Sequence, residues 1–122
     1  MSDLQMGKVQ LRIMRFLWEK KKATAREITI ALDLIEPIAH STVQTLLRIL
    51  EQKGVVKHSV DNRTFIFYPT VKDDKVINNA TKDFLDSVFS GSASTLVSYL
   101  VKNRYLSTGE LNEISEMLNK KE

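Results

Sequence analysis

Apolar residues recur at spacings of three and four near the start of the chain. Val9, Ile13, Phe16 and Leu17 set the stripe, and Met6, Met14 and Trp18 widen it. That period places them on one side of a first helix over residues 6–20. Thr24 with Glu27 three residues later reads as a capping box, opening a second helix that runs to Leu34 and buries Ile28, Ala31 and Leu32. Pro37 stops any continuation. A third helix begins around His40-Ser41 and carries Val43, Leu46, Leu47 and Leu50, again at helical spacing, with Gly54 as its C′ residue.

The period then changes. Val55–Ser59 and Thr64–Tyr68 are short β-prone runs separated by Val60-Asp61-Asn62-Arg63, where Asp and Asn suit a tight turn. After Pro69 the chain reads helical again. Ile77, Ala80, Thr81, Phe84, Leu85 and Val88 form one stripe ending at Gly91. Ser92 or Ser94 caps a helix with Leu96, Val97, Leu100 and Val101. Ser107 and Glu110 form another capping box, before Leu111, Ile114, Met117 and Leu118.

Three helices followed by a two-stranded hairpin is the order of a winged helix-turn-helix; a generic three-helix domain with a hairpin is the alternative. The expected fold is mainly α with a small β-hairpin. Residues 1–69 form the winged domain, and residues 70–122 form a three-helix region. Those three amphipathic helices carry more apolar surface than they can hide among themselves, and large exposed patches mark interaction sites. Packing onto the front domain is one reading, and self-association as a symmetric dimer is the preferred one. Phe84, Leu85, Val88, Leu96 and Leu100 are the expected dimer contacts.

Composition narrows the chemistry. The 122 residues are 43% hydrophobic and 27% charged, ordinary for a globular chain, and none is cysteine, which removes disulfides, thiolate metal sites and thiol nucleophiles. The two histidines, His40 and His58, lack the spacing of a metal pair, and the four glycines are too isolated for a phosphate loop. Neither an enzyme nor a cofactor or metal is expected. No apolar run is long enough to insert into a membrane, and the first residues do not read as a secretory signal, so the expected location is the cytoplasm. Asn62-Arg63-Thr64 is accordingly not read as a glycosylation site.

The net charge of +3 is unevenly spread. Residues 1–70 hold 11 Lys or Arg against 7 Asp or Glu, giving +4; residues 71–122 hold 7 against 8, giving −1. The basic excess in the front part suits a polyphosphate partner. Lys20-Lys21-Lys22 reads first as a solvated helix end and alternatively as part of that contact.

If the third helix buries Val43, Leu46, Leu47 and Leu50, its other side presents Ser41, Thr42, Gln44, Thr45 and Arg48, with His40 at its start. Hydroxyls, an amide and a guanidinium are the groups that bond base edges and phosphates in a major groove. A merely solvated polar face is the alternative. Lys57, His58 and Arg63 decorate the hairpin, where a wing meets adjacent DNA backbone or minor groove. Phe65 and Phe67 read as packing, since a base-stacking platform needs a broader sheet. The candidate DNA contacts are His40, Ser41, Thr42, Gln44, Thr45, Arg48, Lys57 and Arg63. A winged module that binds protein instead of DNA is the rival, and the basic excess argues against it.

Several runs resemble one family. Met6-Gly7 with Ile13-Met14-Arg15-Phe16-Leu17-Trp18 resembles the opening helix of the penicillinase and methicillin-resistance repressors, a family that also includes copper-transport repressors. His40-Ser41-Thr42-Val43-Gln44-Thr45-Leu46-Leu47-Arg48 and its continuation to Gly54 are similar to that family's recognition helix. Arg63, Phe65 and Tyr68-Pro69 resemble its wing and exit. The resemblance implies a homodimeric repressor of double-stranded palindromic operator DNA, in a β-lactam-response operon. It also implies derepression when a membrane sensor-protease signal leads to cleavage in the tail. The equivalent bond is Tyr99-Leu100, where the best-known members carry Asn-Phe. Ile49 stands where many members have arginine. The cysteine cluster of the copper-responsive members is absent.

Overall fold

The computed structural model describes residues 4–120. The chain divides into two compact units, Met1–Thr81 and Lys82–Glu122. In the first, α1 (Lys8–Lys20) starts on Gly7, whose N–H donates to Gln10 Oε1 at 2.8 Å. The expected capping box opens α2 (Ala25–Asp33): Glu27 N donates to Thr24 Oγ1 at 3.1 Å, and Thr24 N donates to Glu27 Oε1 at 2.9 Å. Two orphan donors of the helix end are thereby satisfied.

Helix α3 (His40–Gln52) ends in a Schellman turn. Val55 N donates to Leu50 O at 3.2 Å and Gly54 N to Glu51 O at 2.9 Å, with Gly54 at φ 82°. Only glycine adopts that left-handed backbone without steric cost. The turn delivers the chain directly into β2 (Val56–Asp61), which pairs antiparallel with β3 (Thr64–Pro69). Both strands run further than their sequence suggests. Asp61 still faces Thr64, so the turn is only Asn62-Arg63, and Val60 belongs to a strand. A third strand, β1 (Ala23–Thr24), completes the sheet in the order β1-β3-β2, with Ala23 opposite Phe67.

The core of this unit gathers Ile13, Met14 and Leu17 of α1, Ile28 and Leu32 of α2, and Val43, Leu47 and Leu50 of α3, closed by Ala23, Val55, Val56 and Phe67. These are the apolar stripes that the periodicity identifies. Leu46 packs against the same cluster while only half-buried, and Ala31, expected among the buried residues of α2, is half-buried and outside it. The unit continues past the expected boundary at Pro69. Trp18 Nε1 donates to Val71 O at 3.0 Å, and Val76, in the first turn of α4 (Asp73–Phe89), is fully buried.

Helix α4 contributes residues to both units; α5 (Ala93–Lys102) and α6 (Thr108–Lys120) belong to the second. Ser92, not Ser94, caps α5 by accepting from Thr95 N at 3.1 Å. The expected box at α6 is present: Ser107 N donates to Glu110 Oε1 at 2.9 Å, and Glu110 N donates to Ser107 Oγ at 3.1 Å. Within the second unit Phe84, Phe89 and Tyr99 meet edge to face. No hydrophobic residue described after Thr81 is buried, so this unit has no closed core within one chain.

A chain ending at residue 81 should be more stable to denaturant than one ending at residue 69, by about 2–4 kcal/mol, from burial of Val76 and the Trp18 hydrogen bond. Equal midpoints contradict the boundary at Thr81. In the α6 box, the Ser107 backbone N–H and then its hydroxyl hold the Glu110 carboxyl below its usual value of 4.5. A lowered folded value means that the cap stabilises α6 above pH 4.5 and loses that effect as pH falls through the depressed value. A carbon-detected titration of Glu110 should show a midpoint below 4.5 that Ser107→Ala raises only part of the way back, because the backbone N–H still donates.

Candidate nucleic-acid interface

The rotation of α3 is set by burial. Val43, Leu47 and Leu50 are fully buried, so the residues roughly opposite them on a helix of 3.6 residues per turn face outward. Gln44, Arg48 and Gln52 follow one another at spacings of four along that outer side, and all three are exposed. They form one wall of a concave cleft. The N-terminal end of α2 supplies Thr24, Ala25 and Arg26, and the hairpin supplies His58, Arg63, Thr64, Phe65 and Phe67.

The hairpin wall is held by its register. His58 lies opposite Phe67, and Phe65 opposite Val60, so alternation puts His58, Phe65 and Phe67 on one face. The His58 ring stacks on Phe65 with centroids 3.9 Å apart and planes 9° apart. His58 Nδ1 lies 2.7 Å from Glu51 Oε1 of α3. A carboxylate only accepts, so the imidazole Nδ1–H is the donor. At the tip, Asn62 and Arg63 have φ 49° and 66°, the two left-handed residues of a type I′ turn. Arg63 stands where glycine is favoured.

Arg26, Arg48 and Arg63 line the cleft, with Glu51 as its one carboxylate among the described residues. Among the described residues none of the three arginines has an ion-pair partner, while Glu36 is shared by Lys8 and Arg12 at 3.9 and 3.8 Å elsewhere. Three unpaired guanidiniums around one concavity make it attractive to a polyanion.

The cleft brings together His40, Gln44, Arg48 and Arg63 of the expected contacts. His40 is tied to α2 through Nδ1, 2.9 Å from Thr29 Oγ1. Ser41 and Thr45 are exposed beside the cleft, and Thr45 Oγ1 donates to Ser41 O at 3.0 Å. Thr42 lines a separate depression with Arg12, Glu36 and Pro37. Lys57 pairs with Tyr68 and is exposed on the hairpin face opposite His58, near the base rather than the tip. Arg26 was missed by the sequence reading because a lone arginine in a first helical turn carries no signal of its own. Glu51 was missed because its role depends on His58, seven residues away.

Of the expected dimer contacts, Phe84 and Val88 are exposed, and Leu85, Leu96 and Leu100 are half-buried. Tyr99-Leu100 lies within α5. The Tyr99 carbonyl of that peptide bond accepts from both Asn103 N at 3.1 Å and Asn103 Nδ2 at 2.9 Å. Among the described residues no helix is long and apolar enough to cross a membrane, and no cluster of three metal-ligating side chains occurs.

The methicillin resistance regulatory protein MecI of Staphylococcus aureus strain N315 is 28% identical over 117 residues, 96% of this chain and 95% of its own. The penicillinase repressor of Bacillus licheniformis is 25% identical over 114 residues, 93% and 89% of the two chains. The DNA-binding domain of the repressor BlaI, solved in solution, matches the fold with a TM-score of 0.54 at 24% identity, over 59% of this chain and 88% of that domain. A DNA complex of ZitR from Lactococcus lactis has a TM-score of 0.54 at 21% identity, over 98% and 75%. The family model described as penicillinase repressor matches residues 6–120, and the chain belongs to that family.

Proposed function

We propose that this protein is a transcriptional repressor that grips duplex DNA in the cleft between α3 and the hairpin. The observation that carries this reading is the convergence of unpaired Arg26, Arg48 and Arg63 on one concavity walled by Gln44 and His40. Gln44 and Arg48 suit adenine and guanine edges in a major groove. Arg63 at the tip suits adjacent phosphates. The reading extends to a homodimer on a palindromic operator, supported by the exposed apolar faces of the second unit, where Phe84, Val88, Val97, Met117 and Leu118 lack a cover. Control of a β-lactam-response operon, with a membrane sensor-protease upstream, is part of the same proposal, supported by family membership.

Cleavage at Tyr99-Leu100 has a physical requirement. A protease binds extended backbone, so this stretch of α5 must open and the Tyr99 carbonyl must leave Asn103 first. Loss of α6 and the last three residues of α5, Leu100–Lys102, then separates the two reading heads. The second head no longer binds intramolecularly, which weakens operator binding by roughly 10²–10⁴ with every DNA contact intact.

Random-sequence duplex should bind at low salt and dissociate steeply as salt rises; a module that binds only protein should show neither. On a duplex selected from a random pool, Arg48→Ala should cost about 1–3 kcal/mol per half-site and relax preference at one position. Unchanged affinity contradicts the docking. Arg63→Gly separates charge from strain. Relief of the left-handed backbone, about 1–2 kcal/mol, outweighs the chain entropy of glycine, about 0.5–1 kcal/mol. The variant should therefore be as stable or slightly more so, yet bind all duplexes more weakly with a salt slope lower by about 1. Sedimentation at micromolar concentration should give twice the 14.0 kDa chain mass. In cells carrying the sensor, mass spectrometry after induction should find a fragment ending at Tyr99, formed faster in Asn103→Ala; intact protein during full derepression excludes the cleavage.

A further inference from the structure

Phe65 is 49% exposed, although its neighbour on the same face, Phe67, is buried in the core. Its ring is not loose. One side is covered by the stacked His58 ring, centroids 3.9 Å apart, and the Phe67 ring meets it edge to face with centroids 6.2 Å apart. His58 is in turn fixed by its hydrogen bond to Glu51 of α3. A chain of three residues therefore joins the helix to the hairpin and leaves an apolar ring, already ordered, open to the cleft. Around it stand Arg26, Arg48 and Arg63, with no carboxylate partner among the described residues.

A nucleic-acid strand held by guanidiniums presents charged phosphates alternating with apolar sugar faces. An ordered ring between the arginines matches the sugar, and because the ring is held before binding, little side-chain entropy is lost. Stacking on a base would instead require unstacking a step, at a few kcal/mol, and one half-exposed ring on a narrow sheet offers little to offset that. We propose that Phe65 is an apolar contact for the deoxyribose of the DNA strand crossing the cleft, and that Glu51 and His58 are the positioning residues that hold it. The proposal rests on the DNA-binding reading above and assigns the strand's sugar face to a residue otherwise explained only as packing.

The test uses the full chain, with fluorescence anisotropy on a selected duplex and on a random-sequence duplex, each across a salt series. Phe65→Ala should weaken both by about five- to tenfold, from the apolar area no longer covered. Its log–log salt slope should be unchanged, because no counterion is released at a sugar. Phe65→Leu should retain most of the affinity, and thermal unfolding confirms that both variants fold. A loss confined to the selected duplex indicates a base contact and overturns the proposal. So does a changed slope, or full affinity in a folded Phe65→Ala. Glu51→Gln and Glu51→Ala lose the same charge, but Gln still accepts from His58. Ala should therefore bind about threefold more weakly than Gln, and equality overturns the positioning role. No salt-dependent binding by the unsubstituted chain removes the DNA reading and the proposal together, whereas the other outcomes leave that reading standing.

Discussion

The rotation of α3 about its own axis is the constraint on which the interface depends. Val43, Leu47 and Leu50 are buried completely, each worth about 1.5–3 kcal/mol relative to exposure. Turning the helix by one residue would expose part of that seam and drive Gln44 or Arg48 toward an apolar interior, where an unpaired charge costs several kcal/mol. The outward chemistry of α3 is therefore a consequence of inward packing. The helix end adds the second coordinate. The Schellman turn at Gly54 is braced by Thr70 Oγ1, which donates to Gly54 O, so the chain leaves α3 and enters β2 with its direction set. Rotation of the helix and exit of the strand together fix the cleft.

Other features use the rigidity this provides. Arg63 occupies a left-handed position that glycine fills more cheaply, which the paired strands on either side can hold. Glu51 gives its carboxylate to His58, the neighbouring wall, leaving the three cleft arginines unpaired. The second unit differs in kind. Its helices are well capped at Ser92 and Ser107, yet no hydrophobic residue described there is buried. Local signals determine those helices; their apolar faces lack the cover that the front unit's helices find in each other.

Local, periodic features were legible in the sequence. The capping boxes at Thr24 and Ser107, the glycine after α3, and the seam of Val43, Leu47 and Leu50 each carry their own chemistry within a few residues. Features that arise only through pairing were not. Strand β1 is two residues long, too short to show a period, and exists because Ala23 and Thr24 meet β3. The hairpin turn read as four residues because Val60 and Asp61 tolerate either state; the register decides it. That same register sends Lys57 to the outer face and His58 to the cleft, a distinction one step of alternation apart. Pro69 punctuates the chain, but the first unit extends to Thr81, with Val71 packed against its core and bonded to Trp18, a pairing no local pattern signals.

The most direct measurement is where DNA touches the chain. Amide chemical shifts should be recorded on the intact protein while a short duplex is titrated in at low salt. Binding in the cleft predicts perturbations concentrated on Arg26, on His40–Gln52 along its outer side, and on His58, Arg63 and Phe65. Perturbations centred instead on the exposed Ile30, Leu34 and Ile35, with α3 and the hairpin silent, would contradict it.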